Sequence, residues 1–323
     1  MNAKTKPQST PLRLGISSCL LGNKVRFDGG HKRDHFSTEQ LGQFVEWVPV
    51  CPEVEVGMGT PRPALRLVDT GEGVRMVEIK SGLEHTAAME KYSVKRVRTL
   101  KELGLSGYVL KKDSPSCGMT RVKVYGKKSM PARNGVGLYA GALMDAYPEL
   151  PVEEEGRLRD ARLRENFIER IFAYRRVCDL FEGRWSAADV VRFHSVHKLQ
   201  IMAHSTVAYR ELGRLVGEIK GAPRAAFRDQ YRGGFMAAFA LLASRGRNSN
   251  VLQHAAGHLK KHLDSASRME LADIVNEYRT GLIPLVVPVT LLRHYVRKYE
   301  IESLIGQLFL DPHPKELMLR NHV

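Results

Sequence analysis

An α/β N-terminal domain with an open, mostly parallel sheet and an inserted hairpin, followed by an all-α C-terminal domain, is the architecture the sequence predicts. Three observations carry it. Between residues 10 and 148, short strand-like apolar runs end in polar loops punctuated by Gly and Pro, with helical stretches between them. Beyond residue 156, apolar positions recur at helical period with few strand signals. Between the two, "ELPVEEE" at 149–155 joins a proline to a run of acids and reads as a linker, so domains are expected over 10–150 and 156–323.

Taken in order, "LRLGIS" is the first expected strand, leading to Cys19. "VEWVPV" is the second, ending at Cys51, and "GYVLKK" the third, running into Asp113 and the loop that holds Cys117. "KRDHFSTEQLGQFVE" is the expected crossover helix between the first two strands, and "EHTAAMEKYSVKRVRTLKELG" the helix before the third. "ALRLVDTGEGVRMVEIK" alternates on either side of a Gly-rich turn, as a β-hairpin does. In the second half, "RLRDARLRENFIERIFAYRRVCDLF" and "ADVVRFHSVHKLQIMAHS" are long helices, and "IPLVVPVT", with Pro284 and Pro288, is a buried break between helices.

No apolar run reaches the roughly 18 residues of a membrane span, and "MNAKTKPQSTP" lacks the apolar stretch of a secretory signal, so a cytoplasmic location and no membrane partner are expected. The net charge of +15 is shared by both halves, 23 Lys/Arg against 15 Asp/Glu over 1–150 and 27 against 20 over 151–323. Such a balance suits a polyanionic partner, most often nucleic acid, or simply a solvated basic surface.

Four cysteines in a reducing compartment are metal ligands, nucleophiles or buried apolar residues rather than disulfide partners. Cys19, Cys51 and Cys117 each follow the C-terminal end of an expected strand, the edge where open α/β sheets form their ligand crevice. None belongs to a CxxC pair, which sets aside zinc-ribbon and thioredoxin readings. Three thiolates at one sheet edge suit an iron–sulfur cluster with one iron lacking a protein ligand; buried structural cysteines suit the same pattern. Cys178, on an amphipathic helix, reads as a small core residue.

The motifs "SSCLLG", "VRFDGG", "CPE", "GMGTPR" and "KKDSPSCG" resemble the TudS family of thiouracil desulfidases over about residues 12–150. The remainder, with "FHSVHKLQIMAHS", "LIPLVVPVTLLRHYVRKY" and "DPHPKELMLRN", resembles the YbgA-like helical domain, and the whole is similar to two-domain tRNA 4-thiouridine desulfidases. The resemblance implies a 4Fe-4S cluster held by Cys19, Cys51 and Cys117, with one iron open to a thiocarbonyl sulfur. It also implies non-redox replacement of sulfur by oxygen.

Such a reaction needs a base for water and a proton source for the departing group. Glu53, two residues past Cys51, and Ser114, three before Cys117, are close in sequence to the cysteines, and the resemblance points to the same positions. Read alone, Glu53 equally suits a strand-end carboxylate and Ser114 a turn residue before Pro115. Asp28, in "RFDGG", is either turn chemistry or an acid that orients Glu53 or substrate.

Residues 111–133 hold seven Lys/Arg and one acid, and Lys123, Lys127 and Lys128 are the expected contacts to substrate phosphates; Lys91, Lys95 and Arg98 share a helix face. His194, His197 and His204 share another, as do His254, His258 and His262, suiting RNA contact or helix packing better than zinc. "RHYVRKYE" mixes aromatic and basic residues as nucleic-acid surfaces do, or is a solvated face with a tyrosine anchor. Three functions remain open: desulfidation of 4-thiouridine in tRNA, the same chemistry on free thiouracil, and a non-catalytic iron–sulfur RNA-binding protein.

Overall fold

The computed structural model describes residues 12–126 and 130–322, so Lys127 and Lys128 lie outside the described residues. The chain divides into two compact units, one ending at Arg159 and the other beginning at Asp160.

The first unit holds two four-stranded sheets. β1 (Leu12–Ser17), β2 (Val45–Val50), β5 (Gly107–Leu110) and β8 (Val152–Glu154) make an all-parallel sheet in the order β2-β1-β5-β8. β1 is almost wholly buried, as a central parallel strand covered on both faces should be. Gly15 is required there: a Cβ would come within 2.1 Å of the ring of Tyr108, its buried partner in register on β5. β3 (Leu65–Asp69), β4 (Val74–Glu78), β6 (Val122–Tyr125) and β7 (Ala132–Gly135) form the second sheet, in the order β4-β3-β6-β7. β3 and β4 are the expected hairpin, but it belongs to this separate mixed sheet rather than to the parallel one.

Two further expectations change. The 32–46 segment is no crossover helix but a π-turn at Phe36–Gln40 and a 3-10 turn at Leu41–Gln43. Asp34 accepts from the Ser37 amide (2.9 Å) and hydroxyl (2.6 Å), and Gly42 sits where a Cβ would meet the Ser37 carbonyl at 3.1 Å, so the chain stays tightly wound. The acidic run read as a linker is strand β8, with Glu153, Glu154 and Glu155 buried. Burial of charge demands partners, and they are present: Glu154 accepts from the Met119 amide (2.8 Å), and Glu155 from Lys111 Nζ (2.6 Å) and the Lys112 amide (2.8 Å). Three helices complete the unit: α1 (Pro52–Glu55), α2 (Thr86–Glu102) and α3 (Leu138–Ala146).

The second unit is all helical: α4 (Ala161–Phe181), α5 (Ala187–His204), α6 (Thr206–Gly217), α7 (Arg224–Ala240), α8 (Arg245–His258), α9 (Ser265–Thr280) and α10 (Val286–Lys298). Ser205 separates α5 from α6 by capping the latter, accepting from the Ala208 amide at 3.1 Å. Pro284 precedes α10 and Pro288 lies in its first turn, so the expected break is a helix start. One apolar cluster gathers Leu199, Leu252, Leu271, Leu292 and Phe309, another Val177, Val190, Leu212, Tyr231 and Phe235. Tyr295 of "RHYVRKYE" is buried in the first of these, while Arg297 and Lys298 are exposed.

His194, His197 and His204 are packing residues. His197 stacks on Phe193 with ring centroids 3.9 Å apart, His194 Nδ1 lies 3.1 Å from the Tyr231 hydroxyl, and His204 is buried beside Glu169. His254, His258 and His262 are exposed.

Burial pushes the pKa of His197 down to about 3 and that of His313 to about 4, so both are neutral in the fold. The unfolded chain, whose histidines titrate near 6.5, therefore binds more protons below that pH. Stability present above pH 6.5 is lost as pH falls toward the folded values, by about 1.4 kcal/mol per pH unit for each group. Denaturant unfolding from pH 7.5 to 5 should show this loss, and His197→Gln with His313→Gln should flatten it. An unchanged slope in the double variant would assign the acid sensitivity to other groups.

Candidate active site

The C-terminal ends of β1, β2 and β5 open onto one cavity of about 370 Å3. Cys19 lies in the 3-10 turn Ser18–Leu21 that follows β1, and its carbonyl accepts from the Lys32 amide (3.0 Å). Cys51 joins β2 to α1, donating its amide to Glu55 (3.0 Å). Glu55 also accepts from the Tyr92 hydroxyl (2.7 Å) and pairs with Arg96 (3.1 Å), which ties α1 to α2. Cys117 sits in the loop after β5, whose start is anchored by Glu155 and whose end is anchored by Glu154. That loop lies so close to α3 that a Cβ at Gly137 would fall 2.5 Å from the Ser116 carbonyl.

All three cysteines line the cavity as free thiols. Burial raises each pKa: Cys19 to about 11, Cys51 upward, and Cys117 furthest. Without a metal they are neutral, and metal loading must release protons. Among the described residues no three His, Cys, Asp or Glu side chains are grouped to hold a metal ion. Three soft donors from separate loops, around a space this large, fit a polynuclear iron–sulfur group better than a single cation.

Glu53 and Ser114 also line the cavity, and Ser116 connects them. Glu53 Oε1 accepts from the Ser116 hydroxyl (2.5 Å), and the Ser114 and Ser116 oxygens are 3.1 Å apart. Because the Ser116 proton is committed to Glu53, Ser114 donates to Ser116. The Ser114 oxygen in turn accepts the amides of Ser116 (3.3 Å) and Cys117 (3.1 Å). Glu53 Oε2 accepts from Arg62 Nη2 (2.6 Å) and Nε (2.8 Å), in a pair only 13% and 4% exposed.

The other expected residues are placed elsewhere. Asp28 is outside the cavity lining; its carboxylate accepts from the Gly30 amide (3.0 Å) and lies 3.5 Å from Arg26, and that backbone bond lowers its pKa. Lys123 is exposed on β6, opposite Arg133 on β7, so the expected basic loop at 121–133 is, where described, an edge hairpin. Lys91, Lys95 and Arg98 are exposed on α2, and Cys178 belongs to α4 of the helical unit. Sequence reasoning missed Arg62, Ser116 and Lys111. The signals available were the lone cation in "GMGTPRP" and the doubled serine of "SPSCG". No helix among the described residues is long and apolar enough to cross a membrane.

Residues 14–155 match the family described as 2-thiouracil desulfurase, and residues 198–314 the family described as a protein of unknown function, DUF1722. The uncharacterized protein YbgA of Escherichia coli (strain K12) is 31% identical over 161 residues, 50% of this chain and 95% of its own. The uncharacterized protein YbbK of Bacillus subtilis (strain 168) is 34% identical over 111 residues, 32% of this chain and 71% of its own. A solved structure titled 4Fe-4S-dependent thiouracil desulfidase TudS is 27% identical, covering 49% of this chain and 99% of that one with a TM-score of 0.39. The chain belongs with YbgA and YbbK, joining a 2-thiouracil desulfurase family domain over residues 14–155 to a YbgA-like DUF1722 domain in the same polypeptide.

Proposed function

We propose that this chain removes sulfur from 4-thiouridine in tRNA, converting the thiocarbonyl to a carbonyl. The observation that carries the reading is a single cavity lined by Cys19, Cys51, Cys117 and a serine relay that ends on Glu53. A 4Fe-4S cluster held by the three cysteines would supply an iron without a protein ligand, a Lewis acid matched to a soft thiocarbonyl sulfur. Water gives its oxygen to the ring carbon and its protons to the departing sulfur, so the balance needs neither oxidant nor reductant.

The protein's part is proton transfer. Ser114 passes its proton to Ser116, which passes one to Glu53, and the Ser114 oxygen then takes a proton from water. The two backbone amides on the Ser114 oxygen stabilise its transient negative charge. Arg62 occupies Glu53 Oε2, so Oε1 takes the proton and returns it along the same path.

Support for tRNA comes from the cations and the aromatic ring at the same cavity. Its lining includes Arg26, Lys32, Lys111 and Lys112, and Phe27 presents a ring 41% exposed with the Arg26 guanidinium 5.3 Å from its centroid. Such a ring can stack an extruded base, offsetting the few kcal/mol that unstacking costs. Free thiouracil is the second reading, favoured by the family's own description.

Anaerobically prepared protein should hold about four irons per chain; Cys19→Ala, Cys51→Ala and Cys117→Ala should each lose them and Cys178→Ala should not. Full iron content in any of the first three would remove the cluster assignment. Glu53→Gln, Ser114→Ala and Ser116→Ala should keep iron yet lose sulfide release by about 100-fold or more. Near wild-type turnover in all three would refute the relay, whereas iron-loaded wild-type protein that releases no sulfide from either substrate would favour a non-catalytic protein.

Substrate choice is tested separately. Lys32→Glu, Lys112→Glu and Lys123→Glu together should slow desulfidation of thiolated tRNA and weaken its salt dependence, while turnover of free 4-thiouracil is spared. Equal losses on both substrates, or no loss on tRNA, would leave the free base as the substrate.

A further inference from the structure

The helical unit contains a second cavity, of about 310 Å3, remote in sequence from every residue of the cysteine site. Its floor is a charged network already at rest. Glu169, fully buried, accepts from Gln200 Nε2 (2.6 Å), with His204 Nε2 at 3.2 Å and Arg320 Nη2 at 3.5 Å. Burial opposes its charge, but His204 and Arg320 outweigh burial and hold the carboxyl far below the ordinary range. Glu165 lies 3.4 Å from Arg320 Nε and 3.7 Å from His322 Nδ1. The acids of the floor are thus spoken for.

The mouth is different. Arg162, in the first turn of α4, and Arg245, in the first turn of α8, both line the cavity, and neither guanidinium has a carboxylate within salt-bridge distance among the described residues. Asp160, the nearest acid in sequence to Arg162, spends its Oδ1 on the amides of Arg162 (2.9 Å) and Leu163 (3.0 Å). Arg245 is held against the C-terminal turn of α9, where a Cβ on Gly281 would fall 2.4 Å from Nη1. Beneath them Arg320, 6% exposed, adds a third guanidinium, its Nε ion-paired with Glu165 at 3.4 Å. Tyr278 accepts from Asn248 Nδ2 (3.1 Å), which leaves its own hydroxyl proton to give. The N-terminal ends of α4 and α8 add the positive ends of their dipoles.

We propose that this cavity binds a phosphate group. Two guanidiniums outside salt-bridge distance of any described acid and a free phenolic proton are all donors, a set that suits a ligand with several acceptor oxygens. A phosphate has them, and the cavity leaves room for the group esterified to it. The phosphate belongs either to an RNA backbone or to a small phosphate ester, and the inference stands on the helical unit alone, whether or not the desulfidase reading holds.

The test uses the full chain with cluster loaded, and titrates inorganic phosphate, uridine 5′-monophosphate and tRNA at low ionic strength by calorimetry. Arg162→Gln with Arg245→Gln should weaken at least one of these ligands ten-fold or more while leaving turnover of free 4-thiouracil unchanged. A loss confined to tRNA, with the salt slope reduced by one to two units (roughly), identifies a backbone phosphate. A loss with uridine 5′-monophosphate and inorganic phosphate identifies a small ester. Because glutamine at two helix starts could disturb folding, Arg162→Lys with Arg245→Lys is the second variant; it keeps charge but loses the forked geometry, and an intermediate affinity is expected. Binding of all three ligands unchanged in the glutamine variant, or lysine indistinguishable from arginine, overturns the proposal.

Discussion

The ion pair between Arg62 and Glu53 is the constraint on which the catalytic half depends. Arg62, buried to 4% exposure, bonds the carboxylate of Glu53 and also the carbonyls of Val25 (3.0 Å) and Gly59 (2.9 Å). It therefore fixes three segments at once: the loop after β1, the helical turn after β2, and the turn that leads into β3. Removing one member of such a pair typically costs about 3–5 kcal/mol because the other is left buried and uncompensated. An apolar pair of equal volume would often serve the fold as well. Stability alone therefore does not account for a carboxylate at this point, which is where the proposed function needs a proton acceptor.

The same economy governs the loop that holds Cys117. A loop lined by a cavity cannot rely on a sheet ladder, so its backbone groups need other partners. β8 provides them: Glu155 holds the amide of Lys112 and the Lys111 ammonium, and Glu154 holds the amide of Met119. From α3, the amides of Leu138 (3.1 Å) and Ala140 (3.0 Å) bind the carbonyls of Pro115 and Ser116. The loop is thus secured from the parallel sheet on one side and a helix N-terminus on the other, and the Ser114 oxygen closes its inner turn on the amides of Ser116 and Cys117. The hydroxyl protons of both serines are left to the chain that ends on Glu53.

What the sequence made legible follows the range of the physics. β1, β2 and β5 could be read because parallel strands are short apolar runs, and Cys19, Cys51 and Cys117 could be placed because each lies at or shortly after the end of such a run. The long helices of the second half were legible by period. The acidic run at 149–155 was not, because an edge strand whose Glu154, with Glu155 just after it, captures a distant amide has the same composition as a solvated linker. β6 and β7 were obscured by their four-residue length and basic content, although Val122 and Val124 alternate inward around Lys123. Arg62 was missed because its partners lie 9 and 37 residues away. A single cation in a Gly/Pro turn carries no local sign of that reach.

Charge also separates what recruits a substrate from what selects it. The net +15 acts over distance by steering, but at physiological ionic strength the screening length is about 8 Å, so only nearby groups distinguish one bound ligand from another. Inside the cysteine cavity the strongest charges are matched in pairs, Arg62 with Glu53 and Lys111 with Glu155. A neutral pyrimidine can enter there without disturbing either pair. The cations left to meet phosphate are at the rim, where Lys32 is exposed and Lys112 has only Asp113 at 3.9 Å. Under the proposed function, chemistry and recognition would thus be carried by different charges: the paired ones stay within the cavity, and the unpaired ones at the rim are left for whatever is attached to the base.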